Sequence, residues 1–153
     1  MTGTPPAWLL EILTPDALEA IRRAIAAEEA RTSGEIRVHV DPRCPEDPLV
    51  RARAVFATLG MERTAARNGV LIYVSVEDRK LALVGDAGIA ARVPGDFWAR
   101  RCASLAAELH AGRAREGLVA AVREVGETLR RHFPRGSDDR NELPDDISTR
   151  NPG

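Results

Sequence analysis

The run Val70-Leu71-Ile72-Tyr73-Val74-Ser75-Val76 is almost continuously apolar and β-branched. That is the pattern of a strand covered on both faces rather than of a half-exposed hairpin. A strand of this kind needs helices on both sides of its sheet, so it confines the chain to a layered α/β fold. Glu77-Asp78-Arg79 turns the chain, and Lys80-Leu81-Ala82-Leu83-Val84 returns beside it. The connection is too short for a crossover, so the pair is antiparallel.

Upstream, Glu35-Ile36-Arg37-Val38-His39-Val40 alternates, with Ile36, Val38 and Val40 on one face. The other face, Glu35, Arg37 and His39, is expected to be wetter. Thr14-Pro15 and Asp47-Pro48 each read as an N-cap with a first-turn proline. The first opens a helix with Leu18, Ile21 and Ile25 on one face, the second a helix lined by Ala52, Phe56 and Leu59. Asp96 can cap a third, with the stripe Trp98, Cys102, Leu105 and Leu109, and a fourth carries Leu118, Val122, Val125, Leu129 and Phe133 until Pro134 stops it. The expected fold is α/β: a small mixed β-sheet with one parallel crossover and one hairpin, sandwiched by α-helices in a Rossmann-like three-layer arrangement.

At 153 residues and 44% hydrophobic, one domain is expected over residues 1–133. Residues 134–153 hold only Leu143 and Ile147 as large aliphatics and read as a mobile tail whose removal leaves stability nearly unchanged. Lys and Arg number 22 against 23 Asp and Glu, so no positive field argues for nucleic acid or an anionic membrane. No stretch approaches the roughly 18 apolar residues of a membrane span, and Met1 to Trp8 lacks the pattern of a secretory signal. The reading is a cytoplasmic monomer without a membrane span. Phosphate-loop, dinucleotide, serine-elbow and zinc signatures are all missing. Cys102 lies on a helical apolar stripe, Cys44 lies in a proline-rich loop that could be exposed, and His110 and His132 suit helix ends.

Carboxylates and glycines converge at one edge of the sheet. If the first two strands are parallel, Glu35 and Asn68-Gly69 share their starting ends, the hairpin returns Gly85-Asp86-Ala87-Gly88 to the same edge, and Asp96 follows shortly after. Oxygen ligands from several short segments suit a hard cation such as calcium. The same residues also read as a turn former, Asp86, a helix cap, Asp96, and a solvated side chain, Glu35.

Thr32-Ser33-Gly34-Glu35-Ile36, Asn68-Gly69-Val70-Leu71-Ile72-Tyr73, Asp78-Arg79-Lys80 and Val84-Gly85-Asp86-Ala87-Gly88-Ile89 together resemble the TPM-domain family, over roughly Thr14 to Phe133. The resemblance implies a helix-flanked sheet, calcium binding as in some members, and acid phosphatase activity as reported for a plant thylakoid-lumen member. It supports Asp86 and Asp96 as metal ligands, Glu35 more weakly, and Asn68 and Gly69 as the segment opening the central strand. Two functions follow as expectations. One is a calcium-binding domain that hydrolyses phosphomonoesters in a metal-dependent way, with Arg67 or Arg92 holding phosphate oxygens and Gly69, Gly85 and Gly88 shaping the site. The other is a noncatalytic module that docks on a protein partner.

Overall fold

The computed structural model describes residues 5–136 and 147–149. Its elements run α1 (Ala7–Leu10), α2 (Pro15–Glu29), β1 (Glu35–Asp41), α3 (Pro48–Thr58), a 3-10 turn (Met61–Arg63), β2 (Gly69–Ser75), β3 (Lys80–Gly85), α4 (Ala87–Ala90), α5 (Phe97–His110), α6 (Ala114–His132) and β4 (Ile147–Thr149). The helix starts follow from local chemistry. The Thr14 hydroxyl accepts from Ala17 N at 3.1 Å and the Asp47 carboxylate accepts from Leu49 N at 2.8 Å, each satisfying an amide that the first turn leaves without an acceptor.

The sheet has four strands in the order β3-β2-β1-β4. β1 pairs parallel with β2, Glu35 opposite Gly69 and Asp41 opposite Ser75. β2 pairs antiparallel with β3, Val70 opposite Gly85. The expected crossover and hairpin are therefore both present. Ile36, Val38, Val40, Val70, Ile72 and Val74 pack under α2, α5 and α6, while Leu71, Tyr73 and Ala82 pack under α3 with Val55 and Phe56. Three layers result, with β2 buried along its whole length. Leu105 is the buried member of the α5 stripe, and Trp98, Cys102 and Leu109 pack beside it in part.

Three expectations change. The second face of β1 is not wet: Glu35 and His39 are buried and Arg37 is half-buried. His39 is held there by Ser148 and Asp41 instead of water. Cys44 is buried, against Tyr73 and the first turns of α3, and not exposed in its loop. Residues 134–153 are not wholly a tail. Pro134 forms a bridge with Thr32, Arg135 N donates to Arg31 O at 3.2 Å, and Ile147–Thr149 adds a parallel strand to β1, Val38 opposite Ile147. Ile147 is buried in the main core, and the segment takes up the otherwise open edge of β1. Residues 137–146 and 150–153 lie outside the described part, and the expectation of mobility there with them. At the other end, α1 and the turn after it put Leu9 and Leu13 into the core ahead of the first helix read from the sequence.

Candidate functional site

The starting ends of β1 and β2 and the finishing end of β3 form one edge of the sheet, as the pairings of Glu35 with Gly69 and of Val70 with Gly85 require. Glu35 N donates to Asn68 O at 3.4 Å, and Asp86 N donates to Gly69 O at 2.9 Å, so backbone bonds tie the three segments together. Asn68 is 1% exposed. Its Nδ2 donates to Ser33 Oγ at 3.2 Å, and its Oδ1 is buried with no hydrogen-bond partner among the described residues. An orphaned buried acceptor is costly and marks a place where a donor or cation would be welcome.

Asp86 caps α4 through Ala87 N at 2.7 Å and holds Arg67 in a fork, Nε to Oδ2 at 2.7 Å and an Nη to Oδ1 at 2.9 Å. Arg67 sits at φ +53°, a left-handed conformation uncommon for a residue with a Cβ. Its carbonyl accepts from Gly88 N at 2.8 Å, which holds that backbone in place. Gly88 has to be glycine for this approach: a Cβ there would stand 2.1 Å from Ala66 O and 2.6 Å from Arg67 O. A Cβ on Gly85 would stand 2.2 Å from the Trp98 ring, so α5 lies directly on the end of β3.

Of the residues expected at this edge, Glu35, Asn68, Gly69, Gly85, Asp86, Gly88 and Arg67 come together. Asp96 sits apart in its bonding: its side chain is 63% exposed, it makes no side-chain cap bond to α5, and it lies 3.8 Å from Arg100. Arg92 stacks over the Phe133 ring at 5.6 Å. Among the described residues, no three His, Cys, Asp or Glu side chains are grouped closely enough to hold a metal between them. Any cation at this edge would therefore draw on Asn68 and backbone carbonyls as well as carboxylates.

The opposite edge holds a polar cluster that the sequence reading did not assemble. Asp41 is fully buried and accepts from His39 Nε2 at 2.8 Å, from Arg51 Nε at 2.8 Å and from the Tyr73 hydroxyl at 2.7 Å. His39 Nδ1 meets Ser148 Oγ at 2.7 Å and its ring stacks on Tyr73 with centroids 6.0 Å apart. Burial alone would raise the Asp41 pKa, but the hydrogen bonds from His39, Arg51 and Tyr73 outweigh it and hold the carboxyl well below the usual range. Asp41 at Nε2 and Ser148 Oγ at Nδ1 hold the imidazole of His39 by both ring nitrogens. The cluster thus fastens β4 and α3 to β1. Period-two spacing already puts His39 and Asp41 on one strand face, and that signal could have found the pair; Arg51, Tyr73 and Ser148 needed the fold.

A family model described as the TPM domain matches residues 10–128, most of the chain. The chain belongs to the TPM-domain family. This TPM domain is also similar to the BA42 protein of the psychrophilic bacterium Bizionia argentinensis, solved by NMR, at 38% identity over 97% of this chain and 99% of that one, with a TM-score of 0.83. No curated protein sequence matches it. The family match covers both the Glu35, Asn68 and Asp86 edge and the Asp41 cluster, except for Ser148. No helix among the described residues of the TPM domain is long and apolar enough to cross a membrane.

Proposed function

We propose that this TPM domain binds a divalent cation, calcium, at the edge formed by Glu35, Asn68 and Asp86. The observation that carries the reading is the buried Asn68 Oδ1 with no hydrogen-bond partner among the described residues, next to the start of β1 where Glu35 stands. Calcium takes about six to eight oxygens in irregular geometry, and an amide oxygen, carboxylates and backbone carbonyls from separate segments are the donors it accepts. Arg67 already answers the charge of Asp86, and its side chain is 53% exposed, so it can leave for solvent when another cation arrives. Asp96, paired outward with Arg100, is the outlying member of the expected ligand set.

Bound calcium would supply a fixed positive charge able to polarise a phosphoryl oxygen. Hydrolysis of phosphomonoesters is the finer part of the proposal, with Arg67, released from Asp86, as the side chain that holds phosphate oxygens. Arg92 is the less favoured partner because its guanidinium is engaged over Phe133. A second reading, a noncatalytic interaction module, is favoured by Leu49 and Val50, adjacent at the start of α3 and 39% and 56% exposed.

Turnover of p-nitrophenyl phosphate by the purified chain, with and without calcium, separates these readings. Calcium-dependent turnover that is lost in Asp86→Asn and weakened in Arg67→Gln supports hydrolysis. Turnover that ignores calcium, or none at any concentration, removes the hydrolytic part and leaves binding or docking.

A further inference from the structure

Beyond the finishing ends of β1 and β2, on the side of the sheet covered by α2, α5 and α6, lies an open cleft of about 450 Å³. Leu13, Val40, Val74, Leu81, Leu109 and Leu118 supply the apolar part of its wall. This is the end of the sheet opposite Glu35, Asn68 and Asp86, so the cleft is independent of the proposed calcium edge. In open α/β sheets, the crevice outside the carboxyl ends of the parallel strands is where the fold leaves room for ligands, and the volume is in the range of small-molecule sites.

The charges on its rim decide what would fit. Arg79, in the β2–β3 turn, is exposed and has no ion-pair or hydrogen-bond partner among the described residues. His110 closes α5 on the same rim. Gly112 and Ala114 bring in the start of α6, a helix of 19 residues whose N-cap residue, Arg113, makes no side-chain cap bond and turns its guanidinium to Glu108 at 2.9 Å. The first-turn amides of a long helix carry partial positive charge. Against these stand Glu11 on the rim and Glu116 in the first turn of α6, which leaves Arg79 as the permanent rim charge without an ion-pair partner among the described residues. An apolar interior under a rim with this balance suits a ligand with an apolar body and a single negative charge.

We propose that the cleft binds a small amphipathic monocarboxylate, its hydrocarbon body against Leu13, Val74, Leu109 and Leu118 and its carboxylate between Arg79 and the start of α6. The test uses the full chain, labelled with nitrogen-15 and titrated below the micellar range with octanoate, octylamine and 1-octanol. Octanoate is expected to saturate with shifts centred on Val76, Arg79, His110, Gly112 and Ala114, at least about fivefold tighter than either comparison probe. Arg79→Gln, in an exposed turn, is expected to weaken octanoate by about fivefold while leaving 1-octanol unchanged. A bulky Ala106→Phe on the cleft wall is expected to block all three probes. Equal binding of octanoate and octylamine, shifts centred elsewhere, or an Arg79→Gln protein that binds octanoate normally would overturn the proposal.

Discussion

His39 and Asp41 stand two positions apart on one face of β1, and the imidazole Nε2 lies 2.8 Å from a carboxylate that water cannot reach. With Arg51 and Tyr73 on the other carboxylate oxygen, Asp41 is the polar centre of the α3 side of the sheet. Asp41→Ala is expected to cost about 3 to 5 kcal/mol at neutral pH, because it leaves the guanidinium of Arg51 buried in part without its counter-charge. The folded carboxyl titrates below its unfolded value of about 3.9, so its stabilisation is present above that pH and is lost as the pH falls through the folded pKa. Urea unfolding at several pH values should show a constant gap between the parent and Asp41→Ala above about pH 5, and a narrowing gap on acidification below about pH 4.

Tyr73 is the only tyrosine in the chain, so tyrosinate absorbance reports it alone. Burial first, then its hydrogen bond to Asp41 and the neighbouring Cys44, raise its pKa far above the ordinary value of about 10. A raised acid of this kind stabilises the fold below the unfolded pKa and loses that contribution as the pH climbs above it. Absorbance should stay flat through about pH 10 and rise together with the loss of far-ultraviolet circular dichroism. An ordinary titration near pH 10 in the folded protein would contradict the Tyr73–Asp41 bond.

Ile147 buries its whole side chain from a strand of three residues. Ile147→Ala is expected to cost about 2 to 5 kcal/mol, and a chain ending at Gly136 to be destabilised at least as much. Thermal unfolding checks both. Parent-like melting of the shortened chain would restore the reading of residues 134–153 as a tail that contributes nothing.

The layered fold was legible because it rests on local patterns: the unbroken run at Val70–Val76, the alternation at Ile36, Val38 and Val40, and the capped helix starts at Thr14 and Asp47. The edge containing Glu35, Asn68 and Asp86 was legible because strand direction alone brings those positions together. What the sequence hid was long-range. His39 looks solvated by alternation, and only the arrival of Ser148 from more than a hundred residues away and of Arg51 from α3 makes its face dry. Ile147 looks like a stray aliphatic in a charged segment until the open edge of β1 is available to receive it. Asp86 carries no mark in the sequence of its fork with Arg67, which depends on a left-handed backbone at Arg67 and on the missing Cβ of Gly88.

Gly88→Ala tests that dependence. The new Cβ collides with the carbonyls of Ala66 and Arg67, and forced shifts of packed backbone cost about 1 to 3 kcal/mol. The amide resonances of Arg67, Asn68 and Asp86 should move together in this variant, while those of Tyr73 and His39 at the far edge stay in place. Unperturbed Arg67 and Asp86 resonances would show that Gly88 does not position the fork.

The most direct measurement for the proposed calcium edge is a titration of the nitrogen-15-labelled chain with calcium, read at individual amides. Saturable shifts are expected at Glu35, Asn68, Gly69, Arg67 and Asp86, with a rise in melting temperature as calcium increases. Magnesium should act more weakly because its octahedral shell fits irregular donors poorly. Asn68→Ala and Asp86→Asn should each weaken the response, and Asp96→Asn should leave it nearly intact. Resonances at this edge that do not move in millimolar calcium, or an Asp86→Asn, Asn68→Ala double variant that binds it like the parent, would contradict the account.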